Sequence, residues 1–393
     1  MKVAIVHDYI KEYGGAERVL EALHEIWPDA PVFTSVYIPS FLGPHKKRFE
    51  KWNIKTSWLQ FLPFKSKLIS PLRLITPFVF KSFDFSQFDI VIVSATGAYS
   101  PNIISVKRRA TKDQRPIHIC YSHTPPRYLY GYATARNWKN NLFFRVLGEI
   151  ANHFLRLIDF KSSQNVDFFI ANSKNVAGRI EKFYRKDSVV IYPSVDVDSM
   201  KYEVSSIKGE RKAKYSIRNT QYYLAGGRIA RPKHTDLIIE TFKKLDLPLV
   251  VFGREFGGVR SERLGVGSSN VKFVGEVSDE EKIKLMASAK AFVFAAEDED
   301  FGITPVEAMS VGTPVIAYGS GGVLESVVDG KTGLFFNNLT IESLSSAIKQ
   351  FNNLTINPKD CIKHAQKFSK ERFKKEIKLA VTEALRSSRK TQK

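Results

Sequence analysis

Apolar residues along this chain fall in short continuous runs rather than alternating with polar ones. Val3–Val6, Val32–Val36, Ile90–Val93, Ile117–Tyr121 and Phe168–Ala171 are such runs in the first half. Runs of this kind mark strands covered on both faces, as in a parallel sheet between helix layers. Between them the spacing changes to a helical one. Val19, Leu20, Leu23 and Ile26 follow Gly14-Gly15, and a second helix is predicted over Leu142–Leu157. Strand, glycine turn and helix make the opening of a βαβ unit.

The pattern restarts in the second half. Tyr222–Ala225 leads into Gly226-Gly227, with a helix from Thr235. Leu249–Phe252 stops at Gly253, and Val271–Val274 stops at Gly275. Ala291–Ala295 runs into the acidic stretch Glu297–Asp300, and Pro314–Tyr318 into Gly319-Ser320-Gly321-Gly322. Loops are thereby expected at the carboxyl ends of parallel strands, where open α/β sheets bind ligands. The fold class read from this pattern is α/β, with two Rossmann-like domains. At 393 residues, 43% of them hydrophobic, the chain exceeds one ordinary core. The expected division is an N-terminal domain over 1–200 and a C-terminal domain over 201–368, with the boundary near Tyr192–Gly209 and a small polar stretch at Ser205–Gly209. Phe373, Ile377, Ala380, Val381 and Leu385 give Ser369–Leu385 an amphipathic helical pattern, and this helix is expected to pack back on the N-terminal domain. The remaining 386–393 read as a basic, disordered tail.

Charge adds a partner to this picture. The formal net charge is +20, which calls for an anionic partner: nucleic acid, an acidic membrane surface or a phosphorylated substrate. Residues 46–81 hold nine Lys or Arg against one acid, and residues 107–145 repeat that ratio. Cys120 and Cys361 lie far apart at no metal or redox spacing, which favours a reducing compartment. The opening apolar run is too short for a signal peptide, and no stretch nears the ~20 apolar residues of a membrane span. A cytoplasmic location is the expectation.

Candidate chemistry concentrates between Glu299 and Met309. Thr304, Pro305 and Glu307 fit an N-cap, a first helical position and a third, which is a capping box. On that local reading Glu307 caps a helix. Gly302 admits close approach to the backbone, and free amides at a helix start favour a diphosphate. Glu299 and Glu307 flank that turn, placed to accept hydrogen bonds from sugar or ribose hydroxyls. Asp196-x-Asp198 mimics a metal-binding pair of a different transferase fold. Beside Tyr192-Pro193 it reads as turn capping, and no metal is expected.

Five motifs in order resemble the family 4 glycosyltransferases. They are Glu299-x7-Glu307, Gly312-Thr313-Pro314-Val315, Gly321-Gly322-x-x-Glu325 with Gly330-x-x-Gly333, Gly227-Arg228 with Lys233, and the first-half pair Gly14-Gly15 and Ser122–Arg127. The resemblance runs from Met1 to about Leu385. It implies a retaining enzyme of the GT-B fold, two Rossmann-like domains facing across a cleft, and donor binding mainly by the second. It implies that Glu299 contacts the transferred sugar and Glu307 the ribose, and that Arg228 and Lys233 neutralise the diphosphate. Backbone amides of Phe301, Gly302 and Ile303 would support sugar and phosphate, and Val274-Gly275 would lie beside the base. Gly14 and Gly15 read either as a tight turn or as a close approach to diphosphate or acceptor. His123 would lie near the reacting centre without acting as a general base, because the departing phosphate is thought to take the acceptor's proton in this family.

The Ser122–Arg127 segment is most similar to members that use GDP-mannose in surface polysaccharide assembly, lipopolysaccharide included; a UDP-sugar is the alternative donor. The expected acceptor is a lipid-linked saccharide or polysaccharide precursor. Aromatic residues among the lysines of 46–81 suit an anionic lipid surface at the inner face of the cytoplasmic membrane, or else short core helices with solvated lysines. The competing class is a basic nucleic-acid- or membrane-binding protein without catalysis. No RNA-binding signature, helix-turn-helix or zinc finger supports nucleic acid.

Overall fold

The structure is a computed structural model that describes residues 1–66, 68, 70–106, 115–134, 142–198, 200, 222–255 and 269–391. The Ser205–Gly209 stretch, much of the basic run 107–145, two positions of 46–81 and the last two residues lie outside the described residues.

The chain divides into two compact units. The first comprises Met1–Tyr132, Trp138–Ser194 and Glu371–Lys393; the second comprises Ala133–Asn137 and Val195–Lys370. In the first unit, strands β1 (Val3–His7), β2 (Val32–Thr34), β3 (Ile54–Thr56), β4 (Ile90–Ala95), β5 (Ile117–Ser122), β6 (Phe168–Ala171) and β7 (Val189–Val190) form one sheet. Its order is β3-β2-β1-β4-β5-β6-β7, and every pairing is parallel. The helices are α1 (Gly15–Ile26), α2 (Thr76–Lys81), α3 (Arg127–Tyr130), α4 (Leu142–Gln164) and α5 (Lys174–Tyr184).

The continuous apolar runs are explained by burial on both faces. Val3 and Ile5 of β1 join a core with Val19, Leu20 and Leu23 of α1. Ala4 and Val6, pointing the other way, join Val176 and Ile180 of α5. The first of these cores also holds Phe373, Ile377, Ala380 and Val381 from the C-terminal stretch.

The second unit contains β8 (Tyr223–Ile229), β9 (Leu249–Glu255), β10 (Val271–Gly275), β11 (Phe292–Phe294), β12 (Val315–Tyr318) and β13 (Gly333–Phe336). Their order is β10-β9-β8-β11-β12-β13, again parallel throughout. The helices are α6 (Thr235–Leu245), α7 (Asp279–Ser288), α8 (Ile303–Ser310), α9 (Val323–Ser326), α10 (Ile341–Asn352) and α11 (Pro358–Ala365). A last helix, α12 (Lys370–Thr391), returns to the first unit. Both sheets are of the Rossmann-like kind, in which strand order reverses beside the first strand. The reversal lies between β1 and β4 in one unit and between β8 and β11 in the other.

Three boundaries differ from the sequence expectation. Strand β8 does not end at Ala225 but runs through both glycines to Ile229, paired with β9 as far as Glu255. Glycine is needed there because the strands crowd: a Cβ on Gly226 would meet the Phe252 ring at 2.4 Å, and one on Gly253 would meet the Gly227 carbonyl oxygen at 1.8 Å. Helix α4 continues past Leu157 to Gln164. Helix α12 continues through Arg386, where a tail was expected, to Thr391, since no Gly or Pro interrupts it.

Candidate active site

In the second unit the reversal of strand order brings two loops together. One leaves β8 and carries the short helical turn Arg231–Lys233; the other leaves β11 and carries Glu297–Gly302. The Glu297 amide donates to the Pro232 carbonyl at 2.8 Å. His234 Nε2 lies 3.2 Å from Glu297 Oε2, and Lys233 Nζ donates to Glu299 Oε2 at 2.5 Å. Lys233 also lies 5.0 Å from the centroid of the Phe294 ring. Cation and carboxylate are each largely covered, at 30% and 16% side-chain exposure, yet both remain reachable from solvent.

Gly302 caps α8 with φ +89°, a left-handed conformation that disfavours any side chain. The loop is held from behind by backbone. The Gly322 amide donates to the Glu299 carbonyl at 2.8 Å. A Cβ on Gly321 would meet that same oxygen at 2.4 Å, and one on Gly322 would meet the Asp300 oxygen at 2.1 Å. The paired glycines are therefore a packing requirement of the Glu299 loop. Phe301 turns its ring inward against Phe368, centroids 5.2 Å apart, so only its backbone faces the loop.

The capping box at Thr304–Glu307 is not formed. Helix α8 opens two residues earlier than expected, at Gly302-Ile303, and Glu307 falls within the helix. There it is 3% exposed, and its Oε1 takes the Lys282 ammonium from α7 at 2.9 Å. Asp279 lies 3.3 Å from the same ammonium. Arg228 projects from β8 and is exposed. Val274 and Gly275 end the edge strand β10, Gly275 with φ +75°. Asp196, of the metal-like pair, meets Lys370 at 3.3 Å.

The remaining candidates lie in the first unit. Gly14 caps α1, and its amide donates to Glu17 Oε2 at 2.8 Å; Gly15 is the first helical residue. His123 follows β5 and is 8% exposed. Its Nε2 lies 2.9 Å from Ser94 Oγ, which lies 3.1 Å from His7 Nδ1. His7 Nε2 in turn is 3.7 Å from Glu17 Oε1. Four buried side chains thus run in series from α1 across the ends of β1 and β4 to His123. Burial, with His7 close by, pushes the His123 pKa down to about 3, so the imidazole is neutral at physiological pH. Asp8, beside this series, accepts from the Thr96, Ala98 and Tyr99 amides, while its burial raises its pKa.

His7, Glu17, Ser94 and Lys282 were not singled out in the sequence. His7 and Ser94 carried a usable signal, since each directly follows an apolar strand run. Lys282 carried none, for its partner is 25 residues away on another helix.

Comparison with known proteins assigns both halves. A model described as Glycosyltransferase Family 4 matches residues 13–199, and one described as Glycosyl transferases group 1 matches residues 207–368. An alpha-1,3/1,6-mannosyltransferase of Dictyostelium discoideum is 40% identical over 91 residues, 23% of this chain and 21% of that protein. The protein of that name from Schizosaccharomyces pombe is 24% identical over 385 residues, 85% of this chain and 70% of its own length. Sucrose-phosphate synthase from Thermosynechococcus elongatus shares the fold at TM-score 0.74 and 15% identity, covering 98% of this chain and 100% of that one. HepE of Anabaena, solved in complex with UDP and glucose, does so at TM-score 0.65 and 18% identity, with 97% and 99% covered. Two Rossmann-like sheets, each matched in chain order by its own transferase model, make this chain a member of the family 4 glycosyltransferases, with the GT-B fold.

Proposed function

We propose that this glycosyltransferase is a retaining enzyme that moves mannose from GDP-mannose to a lipid-linked saccharide or polysaccharide precursor. The observation that carries the reading is the Lys233–Glu299 pair, held where strand order reverses and beside the glycine-capped start of α8. Breaking a sugar–phosphate bond builds positive character on the sugar and negative charge on the departing diphosphate. Lys233 and Arg228 meet the diphosphate charge as it develops, and Glu299 holds the sugar hydroxyls. Without donor, the carboxylate and ammonium satisfy one another; a bound donor exchanges their mutual contact for contacts of its own. The amides of Phe301–Ile303 add the partial positive charge of a helix start. Glu307 binds ribose while still anchored by Lys282, and Val274-Gly275 border the base. His123, neutral, serves as a hydrogen-bonding group rather than as a proton acceptor.

The mannose assignment is favoured by the mannosyltransferase names of the relatives. A UDP-sugar is the second reading, favoured by the UDP and glucose in the HepE complex. The working site proposed is the inner face of the cytoplasmic membrane. Among the described residues no helix is long and apolar enough to cross a membrane.

The test is a thermal-shift series with GDP, UDP, ADP and their sugar conjugates, since a ligand that binds only the native state raises its stability. A shift with GDP and GDP-mannose supports the proposal. A shift confined to UDP compounds replaces the donor, and no shift at millimolar ligand overturns the site. In the same enzyme Glu299→Ala should lower transfer on the order of 10²–10³-fold with the fold intact. Wild-type turnover would remove Glu299 from the site.

A further inference from the structure

Helix α4 is built inside out. Its side toward the protein carries Asn152, Asp159, Ser162 and Ser163, with Leu155 the large apolar side chain among them, and all five are buried. Asp159 is held there by the hydroxyls of Tyr184 at 2.8 Å, Tyr130 at 2.9 Å and Ser100 at 3.3 Å. The opposite side shows Leu142, Val146, Ile150, Phe154, Leu157 and Phe160 to solvent, with Leu142 75% and Phe154 60% exposed. At 3.6 residues per turn these six fall within an arc of roughly 120°, centred opposite the buried polar residues. A surface helix ordinarily turns its apolar stripe to the core. Here the core takes the polar side, and the apolar stripe is left facing solvent.

We propose that the outward face of α4 inserts into the headgroup layer of an anionic lipid membrane and seats the enzyme there. The choice of lipid over other partners rests on charge. The chain carries +20 overall, which disfavours a second copy as the occupant. Exposed Lys161 lies on the stripe, and Glu149 at its edge is met by Arg156 at 3.9 Å. The turn Pro101–Ile103 packs against both α4 and α2. From α2 and the turn before it, Phe78 and Leu74 are 69% and 52% exposed, within the block that holds nine cations and one acid. The stripe extends about 27 Å along the helix. Its length, apolar content and basic surroundings are those of a helix lying in a membrane interface rather than crossing it. Anionic headgroups then meet the cations while the stripe leaves water.

This deepens the membrane part of the proposed function, and its test is read without turnover. The full-length protein is sedimented with vesicles of phosphatidylcholine, and with the same lipid mixed with phosphatidylglycerol. Wild type should pellet with the mixed vesicles. The double variant Ile150→Ser, Phe154→Ser should lose at least about tenfold in partitioning while keeping its melting temperature, since both positions are exposed. In Phe154→Trp, tryptophan emission should shift to the blue on mixed vesicles. Equal pelleting of the double variant, an unshifted tryptophan, or wild type left in the supernatant each overturns the proposal. So does a solution dimer that the double variant dissociates, because a second copy then covers the stripe. Vesicle binding without any nucleotide-induced thermal shift would sink the donor site and leave this surface standing.

Discussion

Glu307 is a buried carboxylate within α8, and Lys282 neutralises it. Such a pair adds little net stability, because both charges were stripped of water to form it. Removing one partner is different, for it takes the counter-charge away from a buried group. Lys282→Ala should therefore cost about 3–5 kcal/mol, measured by urea unfolding, while Lys282→Met with Glu307→Gln should recover most of that loss. Equal stability of Lys282→Ala and wild type would mean that groups other than Lys282 hold the Glu307 carboxylate. Local sequence favoured a cap at this position because Thr304-Pro305-x-Glu307 satisfies every short-range rule. The rule lost to Gly302, whose left-handed backbone starts the helix two residues earlier. Ser94 is a second case at this scale. Its hydroxyl bridges His7 and His123, so Ser94→Ala leaves two buried ring nitrogens without that partner. A loss of about 1–3 kcal/mol is expected, with transfer reduced further than stability explains as His123 loses its fixed orientation. Ser94→Thr should restore both.

Among elements, α4 shows how a polar face is kept in a core. Burial raises the Asp159 pKa to about 6 against the hydroxyl donors that lower it. The folded state therefore holds this proton more tightly than the unfolded chain does. The stability so gained is fully present below pH 4 and is lost as pH rises through about 6. Asp159→Asn keeps an acceptor for the tyrosines and removes the charge. It should flatten the fall in stability between pH 4 and pH 6 by on the order of 2 kcal/mol, read from denaturant midpoints across that range. An unchanged slope would show that the carboxyl titrates as it does in water. The same scale separates what the sequence made legible. Long apolar runs marked β1, β4, β5, β6, β9 and β12 within a few residues. β3, β7 and β13 were missed: β7 has two residues, β3 is a three-residue edge strand not fully buried, and β13 opens on a glycine. None fills a window long enough for a period to register. The Glu299 loop was legible because its glycines and acids are consecutive, whereas its tie to Lys233 spans 66 residues.

For the whole molecule, the chain completes its first unit last. After the second sheet is built, α12 returns to supply Phe373 and Ile377 to the core beneath β1, with Phe373 0% and Ile377 1% exposed. Phe373 also meets the Tyr121 ring edge-on at 5.8 Å. The first unit is thereby unfinished until α12 is made, while the Lys233–Glu299 loops belong wholly to the second. Phe373→Ala should cost the first unit about 3–5 kcal/mol by opening a cavity under its sheet. The second unit should keep its response to nucleotide, since the residues of its loops are untouched. Differential scanning calorimetry with and without GDP separates the two effects. The variant should show a lowered transition that nucleotide does not rescue, beside one that nucleotide still raises. A single transition that falls with the substitution and rises with GDP would mean that the units melt as one. In that case α12 would stabilise the Lys233–Glu299 loops as much as the sheet it covers.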